Sequence, residues 1–208
     1  LTTVESQTLV PRLNLASRID RIDDLTFDIT IRDDAKFSDG RPVMASDVIY
    51  TYGSVMVKGS KSLHNKGFAE RYQNIEQLGP KQVRFNLKQP LATLMSDLDF
   101  GIVSPEGLGS GPYILEELAR TYVLLVANPH YFGPAPKMPR VIIKFVTNHA
   151  ARLLMLVGGS ADLIQNATRG DLIEEVRGRP RVQVATAPSV ILTYMMMNNA
   201  DPLLKDLR

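Results

Sequence analysis

The chain has 208 residues, of which 44% are apolar and 22% charged, an ordinary globular composition that excludes a disordered or low-complexity polypeptide. Its 24 basic and 22 acidic residues are spread along the sequence, so no basic stripe is available to a phosphate backbone and nucleic acid is excluded as a partner. There is no cysteine, which removes thiolate metal sites, thiol nucleophiles and disulfides together.

In chain order, the first clear element is at 25–32, where Leu25, Phe27, Ile29 and Ile31 alternate with Thr26, Asp28, Thr30 and Arg32. That period of two predicts a half-buried strand. Asp39 and Gly40 tolerate positive φ and predict a chain reversal. From Ser46 onward, Val48, Ile49, Tyr52, Val55 and Met56 recur at three- and four-residue spacing, predicting an amphipathic helix that stops near Gly59. Residues 60–71 are polar and without period, a loop or an irregular helix. Val83, Phe85 and Leu87 alternate with Arg84, Asn86 and Lys88, a second strand expected to pair with the first. Leu91, Leu94, Met95 and Leu98 suit a short helix.

Residues 104–112 hold two prolines and three glycines, a composition shift that marks the boundary between two parts of the chain. Beyond it the pattern predicts strands at 113–116, 122–127, 141–146, 182–185 and 191–197, with helices at 150–157 and 171–177. The second helix opens at Thr168 to Asp171 in the manner of a capping box. Strands alternating with helices imply an α/β fold. The longest apolar runs, such as 123–127 and 190–192, are far too short to cross a bilayer. The chain opens without a Met or an apolar leader, so its start reads as trimmed.

A search for chemistry finds little. His64, His130 and His149 are the only histidines; they fall in a polar loop, a turn and a helix start, and none has the spacing of a metal pair or a triad. Asp23, Asp24, Asp33 and Asp34 flank a strand and read as turn residues. The glycine-rich run 107–111 lacks a P-loop lysine and precedes a strand, so it reads as a tight turn and not a phosphate cradle. Met195, Met196 and Met197 within a strand would face alternate sides, and most are expected in the core. No cofactor and no metal site is indicated. An ester hydrolase built on Ser110 would need a histidine partner and a nucleophile elbow, which the surrounding sequence lacks. A stand-alone α/β interaction domain, docking another protein through a sheet edge, is the alternative these residues leave open.

Four stretches, in order, resemble the family 5 extracellular solute-binding proteins of bacterial ABC importers, which include dipeptide-, oligopeptide- and nickel-binding proteins. Residues 25–48 resemble a strand, a Lys-Phe-x-Asp-Gly turn and an Ala-x-Asp-Val helix start. Residues 109–113 resemble a Gly-Thr-Gly-Pro-Tyr motif with Ser110 for Thr, and 128–133 an Asn-Pro-x-Tyr-Trp turn with Phe132 for Trp. The fourth runs from Arg152 through Leu156, Gly159 and Asp162 to Asn198, Pro202, Asp206 and Arg208. Two positions depart from the pattern: Met44 stands where an N-cap residue is usual, and the stretch between Pro90 and Gly109 is short.

The resemblance implies a type II periplasmic-binding-protein-like lobe: a mixed sheet with flanking helices, a smaller α+β subdomain over 1–107, and a sheet-containing part over 108–208 that leads to the hinge. It implies that this chain is an incomplete first lobe, and that it is extracytoplasmic. It also implies a function without catalysis, the capture of a peptide or similar small ligand for delivery to an ABC importer permease, which would be the chain's link to the membrane. Thr193, Tyr194, Met195 and Met196, on the segment leading to the inter-lobe hinge, are the implied ligand-binding residues, Tyr194 offering both a ring face and a hydroxyl.

Overall fold

The structure, a computed structural model, describes residues 1–6, 8–165, 170–187, 195–198 and 200–201. The chain divides into two compact units, Leu1–Phe145 and Val146–Arg208. The crossing at 104–112 falls inside the first of them.

The first unit opens with a short hairpin of β1 (Thr2–Val4) and β2 (Pro11–Leu13). Its main sheet comprises β3 (Ala16–Arg21), β4 (Thr26–Ile31), β5 (Tyr72–Gly79) and β6 (Gln82–Leu87), in the order β3-β4-β6-β5 with every pair antiparallel. The expected pairing of the two alternating strands is therefore present, with Ile29 opposite Val83 and Phe27 opposite Phe85. Helix α1 (Ala45–Met56) covers the inner face, with α2 (Asn65–Arg71) and α3 (Leu94–Asp97) beside it. Val48, Tyr52 and Val55, spaced by four and three, turn one stripe of α1 onto Ile29, Ile31, Val83, Phe85 and Leu87. The outer face stays polar, and there Arg84 donates two hydrogen bonds to Asp28 across the strands at 2.7 and 2.8 Å.

The start of α1 shows how the missing N-cap is replaced. Met44 occupies the cap position, and the Asp47 carboxylate reaches back to accept its backbone N–H at 2.8 Å. One half of a capping box, supplied from inside the helix, thus holds the first turn without a hydroxyl at the cap. At the other end α1 stops at Met56, and Gly59 adopts φ +88° just beyond.

A second sheet follows the crossing: β7 (Tyr113–Leu118), β8 (Tyr122–Ala127) and β9 (Arg140–Lys144), again antiparallel throughout. A bulge between Leu115 and Glu117 shifts the phase of β7, so that Leu115 pairs with Leu125 and Leu118 with Val123. Both leucines therefore share a face with Val141 and Ile143. Leu118 is 69% exposed, so this apolar face has no cover among the described residues of its own unit.

In the second unit, α4 (His149–Val157) is capped by Asn148, whose side chain accepts the Ala151 N–H at 2.9 Å, and a short α5 (Gly170–Glu174) follows. The strand expected at 182–185 is not formed. A strand exists only with a neighbour to complete its ladder, and no strand lies in this unit among the described residues. The Thr168 start of the expected cap lies outside the described residues.

Candidate functional site

Of the four implied ligand-binding residues, Thr193 and Tyr194 lie outside the described residues. Met195 and Met196 are described and are 85% and 81% exposed, and Met197 is also exposed. Residues 195–197 form no strand, and the segment ends in a turn where Asn198 accepts the Ala200 N–H on its side chain and the Asp201 N–H on its carbonyl. This corrects the expectation that most of these methionines are core. An apolar strand buries alternate side chains only when a layer covers it, and no described residue supplies one here.

The motifs in the first unit are brought together. In the signature turn Phe37 is fully buried, Gly40 donates its N–H to the Phe37 carbonyl at 2.9 Å with φ +88°, and Asp39 accepts the Arg41 N–H at 2.9 Å. The reversal expected at Asp39 and Gly40 is thus present. The Arg41 guanidinium lies 4.8 Å from the centre of the Phe37 ring and pairs with Asp47 at 3.4 Å and Glu106 at 3.2 Å. Glu106 is held below the usual carboxylate range by hydrogen bonds from Ser104 and its own backbone, with Arg41 adding a smaller push. In the third motif Asn128 is buried, and His130 sits against the backbone of Gly40.

Two concavities are described. One, of about 250 Å³, is lined by Asn14, Leu15, Phe100, Ile102, Ser110 and Tyr131 among others. It is smaller than the 300 Å³ or so at which small-molecule pockets begin. The other, of about 650 Å³, is an open, polar groove on the main sheet's edge, lined by Asp23, Asp24, Gln73, Asn74, Glu76 and Asn86. Its two asparagine amides are already engaged: Asn86 donates to Asn74 at 2.7 Å and to Glu76 at 3.0 Å, and Asn74 donates to Glu76 at 2.8 Å. The first is too small and the second too open to enclose a ligand.

The histidines and three of the four paired carboxylates have local partners. His64 packs edge-on to Phe100, His130 packs on Gly40, and the His149 ring lies 2.9 Å from the Arg152 guanidinium. Asp23 accepts the Leu25 N–H, Asp24 pairs with Arg21, and Asp34 pairs with Arg32, the turn and strand-end roles expected of them. Among the described residues no group of three or more histidines and carboxylates is placed to hold a metal ion, and no helix is long and apolar enough to cross a membrane.

Comparison with known proteins gives these features a setting. Residues 10–208 match the model of the bacterial extracellular solute-binding proteins, family 5. A probable D,D-dipeptide-binding periplasmic protein of Escherichia coli is 32% identical over 196 residues, covering 82% of this chain and 36% of the relative. An oligopeptide-binding protein of Bacillus subtilis is 25% identical, covering 98% of this chain and 41% of the relative. Among solved structures, a Campylobacter jejuni protein in complex with Ni(L-His) superposes with TM-score 0.78 at 24% identity, covering 86% of this chain and 39% of the other. A Helicobacter pylori periplasmic binding protein in complex with the peptide STSA superposes with TM-score 0.76 at 21% identity, covering 86% and 42%. The fold is therefore that of a type II periplasmic binding protein, in part: the chain spans roughly two-fifths of these proteins.

Proposed function

We propose that this chain, which belongs to the family 5 bacterial extracellular solute-binding proteins, serves the capture of peptides or similar small ligands outside the cytoplasm and their delivery to the membrane permease of an ABC importer. The observation that carries this reading is the match over 10–208 together with the dipeptide-binding name of the 32%-identical relative. The described surface is consistent with it. Catalysis needs a nucleophile or metal beside a proton carrier, and His64, His130 and His149 are each engaged with an aromatic ring, a glycine backbone or an arginine.

Within that reading, residues 1–107 form the smaller α+β subdomain of one lobe, and 108–208 the sheet-containing part that leads to the hinge. The main sheet with α1 to α3 precedes residue 108 and the second sheet follows it, which supports that division. Thr193, Tyr194, Met195 and Met196 are the residues of this chain that meet the ligand. Exposed thioethers at Met195 and Met196 supply an adaptable apolar wall, suited to a ligand gripped by its main chain and tolerant of its side chains. Calorimetric titration with a panel of di- and oligopeptides, a sugar and a nickel–histidine chelate tests the assignment. Saturable heats with peptides are expected; tight binding of the sugar or chelate with silence across the peptides would overturn it.

A further inference from the structure

Three of the stretches that carry the family resemblance direct their polar groups at one another. The Ser38 N–H donates to the Gly109 carbonyl at 3.1 Å, joining the signature turn to the crossing. Buried Asn128 donates its side-chain N–H to the Gly111 carbonyl at 2.8 Å and its backbone N–H to the Pro112 carbonyl at 2.9 Å, joining the crossing to the third motif. The third motif closes the ring: a β-carbon at Gly40 would stand 3.3 Å from the His130 imidazole, and the Arg32 guanidinium lies 4.5 Å from the centre of the Phe132 ring. Arg41 and Thr51 tie the crossing to α1 as well. Arg41 bridges Asp47 and Glu106, and the Thr51 hydroxyl accepts the Val103 N–H at 3.1 Å.

We propose that these motifs form a rigid joint that fixes the second sheet to the main sheet and α1, so that the glycine- and proline-rich crossing at 104–112 acts as a strut and not as a hinge. A hinge absorbs large φ and ψ changes, which requires a segment with few hydrogen bonds to its surroundings. This crossing has the opposite character. Within it, Ser104 and Gly107 close a turn and Leu108 donates to the Ser104 hydroxyl at 3.1 Å, and just before it Val103 bridges Gly109. Gly107 answers the demand of that turn, with φ +82°. Bending at this point would break ties to three segments at once. The inference rests on the geometry of 1–145 alone, and it stands whether the ligand is a peptide or not.

Hydrogen exchange on the chain tests it. In the wild type, the amides of Ser38, Ser104, Leu108 and Asn128 are expected to exchange within about tenfold of one another, far more slowly than an unstructured peptide and with one shared denaturant dependence, as members of one cooperative joint. Exchange of these amides at the rate of an unstructured peptide would overturn the proposal. In Asn128→Ala, exchange at Ser38, on the far side of the joint, should rise about tenfold while the β4–β6 amides hold. Glu106→Gln is a surface change that leaves the fold in place, and it should raise exchange at Ser38 about threefold. An unchanged Ser38 in Glu106→Gln, or in an Asn128→Ala chain that retains its β4–β6 protection, would contradict the joint and show independent local ties.

Discussion

Gly40 combines two constraints that a sequence displays only in part. Its φ of +88° belongs to the left-handed region, where a β-carbon costs about 1–2 kcal/mol. The His130 ring adds a second cost, because a β-carbon there would meet it at 3.3 Å. Gly40→Ala should therefore destabilise the chain by about 1–3 kcal/mol, combining the backbone cost with a close contact. Thermal unfolding measures this, and His130→Ala in the same chain should restore only the contact share. The turn was legible from Asp39 and Gly40, whereas the approach of His130, 90 residues away in sequence, was not.

Asp28 offers a pH test. Hydrogen bonds from Arg84, and then its charge, hold the Asp28 carboxyl below the usual carboxylate range. A group whose folded pKa lies below its unfolded value contributes stability above the unfolded value, about 3.9 for Asp, and loses it as pH falls through the folded value. Urea unfolding of wild type and Asp28→Asn should show the wild type more stable at neutral pH and the gap closing on acidification. A gap that keeps its neutral-pH size below about pH 3 would contradict this assignment.

Tyr52 is a third residue with an unexpected economy. It stacks on Phe68 and meets Tyr72 and Phe85 edge-on, yet its hydroxyl and that of Tyr72 are buried with no hydrogen-bond partner among the described residues. Burial pushes the Tyr52 hydroxyl well above its ordinary pKa and that of Tyr72 above it too. An unpaired buried hydroxyl costs about 1–3 kcal/mol, so Tyr52→Phe should be neutral or stabilising in a denaturant melt. A loss of more than about 1 kcal/mol would reveal a partner for the hydroxyl.

At the scale of elements, the strands of the main sheet that were legible were its central ones. β4 and β6 are flanked on both sides in the order β3-β4-β6-β5, so their inward positions carry Phe27, Ile29, Ile31, Val83, Phe85 and Leu87 and the period of two is clear. β3 and β5 are edges with few buried positions; β5 buries Tyr72 fully and leaves most of its length exposed, which erases the alternation that would have announced it. The same reasoning separates two kinds of apolar residue. Phe85→Ala, in the core, should cost about 3–5 kcal/mol. Leu118→Lys, on the uncovered face of the second sheet, should cost less than about 0.5 kcal/mol in this chain, a contrast that paired urea titrations measure directly. The 182–185 segment shows the converse limit, since its pattern suits a strand but a strand requires a neighbour.

For the molecule as a whole, composition and periodicity reached a folded α/β chain, and the motif resemblance reached the family. Motif order did this because the signature turn, the crossing and the Asn128 turn are locally encoded: glycines at positive φ, Asp39 and Asn128 accepting nearby N–H groups, and Pro112 ending the crossing. The exposure of the proposed ligand wall was less legible. Nothing in the wording of 195–197 separates core methionines from exposed ones, because that depends on what lies over them, and the chain spans roughly two-fifths of its relatives. Methyl NMR of methionine-labelled chain, titrated with di- and oligopeptides, tests the central claim most directly. The account predicts saturable shifts of the Met195 and Met196 methyls with peptides while the amides of Ser38 and Asn128 in the joint stay in place; saturable peptide binding that leaves both methyls unmoved, or shifts produced only by a sugar or metal chelate, would contradict it.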